Sequence, residues 1–146
     1  LDKSNTLGFE RKLGWSGVLI EGSQDLYPRL SRNRPNSTCV HSCVTSKPGW
    51  YSFAEEGLNS GLVINRQGAE FQEAMFQNTT GEMFCTRLTH ILDEHLAPQA
   101  HIDYLSLDME GGEYDVLTSF DFDRHTVDVM SIEWHDWGNS QRQKRL

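Results

Sequence analysis

Cations are scarce in this chain. Its 146 residues carry 13 lysines and arginines against 21 aspartates and glutamates, a formal charge of -8. A strongly basic face would have to gather most of those cations, so general nucleic-acid binding is not expected. The basic cluster Arg142, Lys144 and Arg145 falls at the very end of the sequence, where it reads as a frayed terminus. Long apolar runs are also missing. None approaches the ~20 residues that cross a bilayer, so no membrane segment is expected in this stretch. No secretory leader opens it either. Leu1 stands at the start rather than a methionine, and the sequence stops just after a predicted strand. It reads as a piece of a longer protein, with compartment and oligomeric state unreadable and the cytoplasm slightly favoured.

Cysteine is nearly absent as well. Three residues, an odd number without framework spacing, do not predict a disulfide-stapled domain. Cys39, His41 and Cys43 alternate as metal ligands sometimes do. On a strand their side chains would share one face at intervals of about 6.6 Å. Zinc needs its ligands within about 2.3 Å of the metal, so buried small side chains are the better account. No repeat or low-complexity tract interrupts the sequence.

What remains is a folded domain: 37% apolar residues and four tryptophans are ample for a core. Its length suits one domain spanning 1–146. Ser4 to Leu13 predicts a short amphipathic helix, with Ser4 as cap, Leu7, Phe9 or Glu10, and Leu13 near a helical repeat, and Gly14 as stop. Trp15 to Ile20 predicts a buried strand closed by Glu21 and Gly22. A helix follows from Ser23 or Gln24 to Arg32, with Leu26, Tyr27 and Leu30 on one side. Pro35 and Asn36 break it before a strand from Thr38 to Val44. Helix and strand thus alternate in the rhythm of a doubly wound parallel sheet.

The middle departs from that rhythm. Trp50 to Ala54 and Leu62 to Asn65 read as a hairpin excursion, and Gln67 to Thr80 as a surface loop or irregular helix. Glu82 to Leu88 suits a short strand. Thr89 then caps a helix from His90 to Leu96, stopped by Pro98. Strand Ile102 to Leu107, helix Gly112 to Phe120 and strand Val127 to Glu133 restore the alternation.

Function concentrates at strand ends. Residues 103–117 form a strand that delivers Asp108 and Glu110 to its carboxyl end, where Gly111 and Gly112 turn the backbone into a helix. Open α/β sheets bind ligands at that edge. Glu21 ends an earlier strand in the same way. A carboxylate so placed can accept hydrogen bonds from both hydroxyls of a ribose. The plainer alternative is that Glu21 caps the next helix or pairs with Arg29. Glu110 can equally stabilise a helix start through its dipole. His135, beside Trp134 and Trp137, reads as packing or surface.

Three blocks carry a resemblance: Ser4 to Glu10, Leu13 to Glu21, and Asp103 to Glu113. In this order and spacing they resemble the FkbM-type methyltransferase domain, with residues 50–100 matching only loosely. The resemblance implies an S-adenosylmethionine-dependent enzyme with a Rossmann-like, mostly parallel doubly wound α/β sheet, incomplete here at both ends. It implies cofactor contacts from Glu21 at the ribose and from the Val44–Thr45 turn near the adenine. Asp108 and Glu110 would serve methyl transfer to a hydroxyl, on a small molecule or glycan, as base or positioning groups. Some methyltransferases use a divalent ion, which Asp108 and a neighbour could share, but the sequence shows no full oxygen-ligand set and no metal site is assigned. In that family a strand and glycine-rich acidic loop precede the Ser-Asn-Thr block. Only Leu1, Asp2 and Lys3 could remain of it, so this piece is expected to be inactive by itself.

Two other functions fit parts of the pattern. A non-catalytic interaction domain would use Trp134 and Trp137 as a contact patch. An NAD-dependent oxidoreductase also places an acid after its second strand, yet it leaves the Asp-Met-Glu-Gly-Gly block unexplained. Two sequons, at Asn36 and Asn78, matter only if the protein enters a secretory route.

Overall fold

Short strands and helices of about two turns set the architecture; α1, α3 and α4 bury residues, whereas α2 buries none. The computed structural model describes residues 4–56, 59–63, 81–109 and 112–133. In chain order they form α1 (Leu7–Leu13), β1 (Val18–Glu21), α2 (Tyr27–Asn33), β2 (Thr38–His41), β3 (Cys43–Val44) and β4 (Gly49–Glu56). β5 (Asn59–Val63), β6 (Gly81–Thr86), α3 (Leu88–His95), β7 (His101–Leu107), α4 (Glu113–Ser119) and β8 (Thr126–Ile132) follow. The tract 67–80 lies outside the described residues.

The fold is mixed α/β, and among the described residues the strands form three small sheets, not one parallel doubly wound sheet. β1 pairs in parallel with β2 from Val18↔Thr38 to Glu21↔His41. β7 pairs in parallel with β8 from His101↔Thr126 to Leu107↔Ile132. The third sheet is mixed, in the order β3-β6-β4-β5. Only its β3–β6 pair is parallel. Two causes can be named. The predicted strand Thr38 to Val44 breaks at Ser42, so its first half serves β1 and its second half serves β6. The expected hairpin of β4 and β5 forms, and β4 then pairs with β6 instead of remaining an excursion.

Between β1 and β7 lies a cleft of about 170 Å³. Val18 and Leu19 line one side, Ile102 and Leu105 the other, with Phe9 of α1 and Leu96 of α3 closing it. Among the described residues β1 pairs only with β2, and β7 only with β8. Each therefore turns an unpaired backbone edge away from its partner. The main core packs beside them, formed by Val44, Leu88, Ile91, Leu92, Leu107, Val116 and Phe120. α3 contributes Leu88, Ile91 and Leu92 at helical spacing. It begins earlier than predicted, with Arg87 at the cap. Thr89 lies buried inside it, and its hydroxyl accepts the Asp121 N–H at 3.1 Å.

α1 ends as predicted at Gly14, whose φ of 72° is left-handed, with its N–H returned to the Glu10 carbonyl. Ser4 Oγ accepts the Leu7 N–H, although Thr6 holds the cap position. The predicted apolar stripe is corrected at one place: Leu13 is 63% exposed, while Glu10 is only 5% exposed. Arg34, also 5% exposed, explains the exchange. Its Nε donates to Glu10 Oε2, and its other nitrogens donate to Ser4 Oγ at 3.2 Å and Thr6 Oγ1 at 3.0 Å. Ser37 Oγ donates to the same Glu10 oxygen at 2.7 Å. Burial alone would raise the Glu10 pKa. The hydrogen bonds from Ser37 and Arg34, with the guanidinium charge, prevail and hold it below its ordinary 4.5.

The cysteine expectation is corrected too. Cys43 and Cys85 form a disulfide with Cα atoms 4.6 Å apart. They are register partners of β3 and β6, a proximity that a separation of 42 residues conceals in the sequence. Cys43 is thereby committed and cannot join Cys39 and His41 around a metal. Closing a loop of that size removes unfolded-state entropy corresponding to about 4 kcal/mol.

Glu10→Gln leaves Arg34 buried without its counter-charge and should cost about 3–5 kcal/mol in urea unfolding at neutral pH. Replacing both partners by apolar residues of similar volume should restore most of that loss. Because the folded Glu10 pKa is depressed, its contribution is complete above about pH 4.5 and is lost as pH falls through the lower folded value. Wild-type stability should drop in that acid window, and the Glu10→Gln protein should show a shallower drop. Reduction of Cys43–Cys85 should lower stability by about 2–4 kcal/mol in the same assay.

Candidate functional site

Two contacts seat α1 and the residues before it against β7. Asn5 Nδ2 donates to Ser106 Oγ near the end of β7, at 3.0 Å, while Phe9 packs edge-on against Tyr104, with centroids 5.3 Å apart. α1 thus runs antiparallel to β7. After Gly14 the chain enters β1, whose Val18 and Leu19 line the cleft opposite Ile102 and Leu105 of β7. Glu21 closes β1 and Asp108 follows β7.

Glu21 is half-buried, and its Oε1 accepts the Ser23 N–H at 2.9 Å. This bond closes a turn ahead of α2, which begins at Tyr27 with no side-chain cap, so Glu21 does not cap that helix. Ser23 continues the turn, its Oγ accepting the N–H groups of Asp25 and Leu26. Gly22 is required by packing: a Cβ there would stand 2.8 Å from the Phe53 ring. Asp108 is exposed. The next residue, Met109, donates its N–H at 2.8 Å to Glu113 Oε1, which braces the turn into α4. Glu110 lies outside the described residues, as do His135, Trp134 and Trp137.

Val44 and Thr45 are buried. The Val44 side chain belongs to the main core, and the Thr45 N–H is donated to the Thr86 carbonyl at 2.9 Å. Their side of the rim is carried onward by Ser46. Its N–H donates to Asp115 Oδ2 at 3.1 Å, and its carbonyl accepts from Arg87 Nε at 2.8 Å. Ser46 therefore joins the ends of β3 and β6 to the first turn of α4. Ser46, Arg87, Asp115 and Glu113 were not singled out from the sequence. An acid in the first turn of a helix is the visible signal for Asp115, but it resembles ordinary dipole stabilisation.

At the opposite pole, His101, Asp103 and Asp128 bring ligand atoms within 4.8 Å of one another. His101 bonds Thr126 Oγ1 through Nδ1 and Asp128 Oδ2 through Nε2. All three are exposed and stand at the amino ends of β7 and β8, away from the rim.

The sequence pattern decides the family. The methyltransferase FkbM domain matches residues 2–144. The chain belongs to the FkbM methyltransferase family. No curated protein and no solved structure matches it. For this FkbM domain the family implies a methyl donor, and the blocks that carried the resemblance acquire distinct physical duties. Ser4, Thr6 and Glu10 surround Arg34, whereas Glu21 ends β1 and Asp108 follows β7.

Gly22→Ala should destabilise by about 1–3 kcal/mol, since the Phe53 ring must shift within a packed site. Gly17→Ala, where an added Cβ meets nothing within 4 Å, should change little. Equal thermal shifts for the two variants would contradict the Gly22–Phe53 contact.

Proposed function

We propose that this domain belongs to an enzyme that transfers a methyl group from S-adenosylmethionine to a hydroxyl on a small molecule or glycan. The observation that carries this reading is Glu21. It ends a parallel strand, is half-buried, and has its carboxylate aimed by the Ser23 N–H. A carboxylate held in this way fits a ribose diol as a pre-oriented, charge-assisted acceptor. The bound cofactor would supply an electrophilic methyl group, and the protein's tasks are then orientation and removal of a proton. Asp108, exposed at the end of β7, is suited to orient the acceptor hydroxyl or take its proton, with Glu110 as second candidate. The Thr45–Ser46 turn, pinned by Thr86, Arg87 and Asp115, offers a rigid wall near the adenine. The Val44 side chain supports that wall from the core and has no free surface to offer.

The cleft between β1 and β7 bears on the same reading. The resemblance calls for a parallel strand with a glycine-rich acidic turn ahead of Ser4. Two strand edges unpaired among the described residues, with apolar side chains lining the cleft between them, are complementary to such a strand. A turn at its carboxyl end would emerge between Glu21 and Asp108.

On the intact protein, Glu21→Ala should weaken S-adenosylhomocysteine binding by about 1–3 kcal/mol in calorimetry. Unchanged affinity would remove Glu21 from the site. Asp108→Asn should slow methyl transfer by about 10²–10⁴-fold with cofactor affinity retained. Full turnover in that variant would pass the role to another group.

A further inference from the structure

We propose that Asn36 carries an N-linked glycan and that this domain matures in an oxidising secretory lumen, where Cys43 and Cys85 are joined. The proposal does not rest on the methyl-transfer reading. Two independent observations meet in it, one from packing and one from a sequence triplet in its structural setting.

The disulfide is the first. Cys43 and Cys85 are 6% and 0% exposed and pack with Phe53 in a small core of their own. Sulfurs buried this deeply are not oxidised incidentally after folding, because an oxidant must reach a thiolate. The bond therefore forms while the strands assemble, and cytosolic reductants would keep such a pair as thiols. Its formation releases two protons and passes two electrons to a disulfide-bearing oxidant of the lumen. Cys39 remains a free thiol. Burial pushes its pKa up, against the pull of Arg34 and with the help of Glu10, so little thiolate is available to attack the bridge.

The second observation is the setting of Asn36, Ser37 and Thr38. The triplet spans the turn between α2 and β2, closed by the Ser37 N–H on the Arg34 carbonyl at 3.2 Å. Asn36 and Thr38 are exposed, whereas Ser37 turns inward to Glu10. A sugar on Asn36 Nδ2 would thus enter solvent without displacing a packed group. Thr38 opens β2 beside Val18 at the amino end of the β1–β2 pair, opposite Glu21. The glycan would leave the strand-end rim clear. In the transfer step Asn36 Nδ2 bonds to the anomeric carbon of an oligosaccharide carried on a lipid pyrophosphate. The nitrogen loses a proton and the lipid pyrophosphate departs.

The test uses the protein from its own cells, with thiols blocked at lysis and digestion carried out without reduction. Asparagine-amidase release in heavy-oxygen water should convert Asn36 to a labelled aspartate. The same digest should contain Cys43 linked to Cys85, with Cys39 carrying the blocking reagent. An unmodified Asn36, or blocking reagent on both Cys43 and Cys85, overturns the proposal. Asn36→Gln, expressed from the protein's own gene, should migrate faster by one glycan's mass. Unaltered migration would overturn it equally.

Discussion

The buried ion pair of Glu10 and Arg34 governs where the first third of the chain sits, because a guanidinium without water must find its partners within reach. Ser4, Thr6 and Glu10 supply them from α1, and Ser37 completes the Glu10 side from the turn before β2. The pair therefore ties the first helix to the α2–β2 turn. Asn5 and Phe9 in turn hold that helix against β7. Replacing such a pair by apolar residues often costs little stability. Its value here is positional: it ties α1 to the turn that opens β2.

A second, smaller core sits beside the first, with β3 giving Val44 to one and Cys43 to the other. Phe53 packs where a side chain on residue 22 would stand, so the backbone just after β1 lies against the disulfide cluster. Cys43 and Cys85 then hold β3 to β6 from within. Glu21 is adjacent to that contact. The orientation of its carboxylate depends on Ser23 locally and on the Gly22–Phe53 packing at longer range. The backbone around Glu21 is thus held by a local hydrogen bond and by packing against Phe53.

On the far side of the gap, the turn after β7 is built with equal economy of parts. Glu113 reaches back to the Met109 N–H, and Asp115 reaches sideways to Ser46. Neither acid is a candidate for chemistry. Both hold backbone, and Asp108 is left exposed at the strand end. The division between bracing acids and an exposed acid distinguishes Asp108 from its acidic neighbours more clearly than its sequence position does.

The residues alone determined the local elements, since apolar spacing, Gly14 and the Pro35–Asn36 break act over a few positions. They also carried the family, because the Ser4–Glu10, Leu13–Glu21 and Asp103–Glu113 blocks match in order. The strand ends bearing Glu21 and Asp108 were legible for the same reason. What only the tertiary structure decided depends on distant partners. Glu10 is buried and Leu13 exposed because Arg34, 24 positions on from Glu10, supplies a counter-charge that no helical repeat contains. Cys43 meets Cys85 because β3 and β6 share a register. Strand Thr38 to Val44 divides at Ser42 because its halves serve different neighbours. Local sequence specifies which way a residue can turn; what it then meets is set by chain segments tens of residues away.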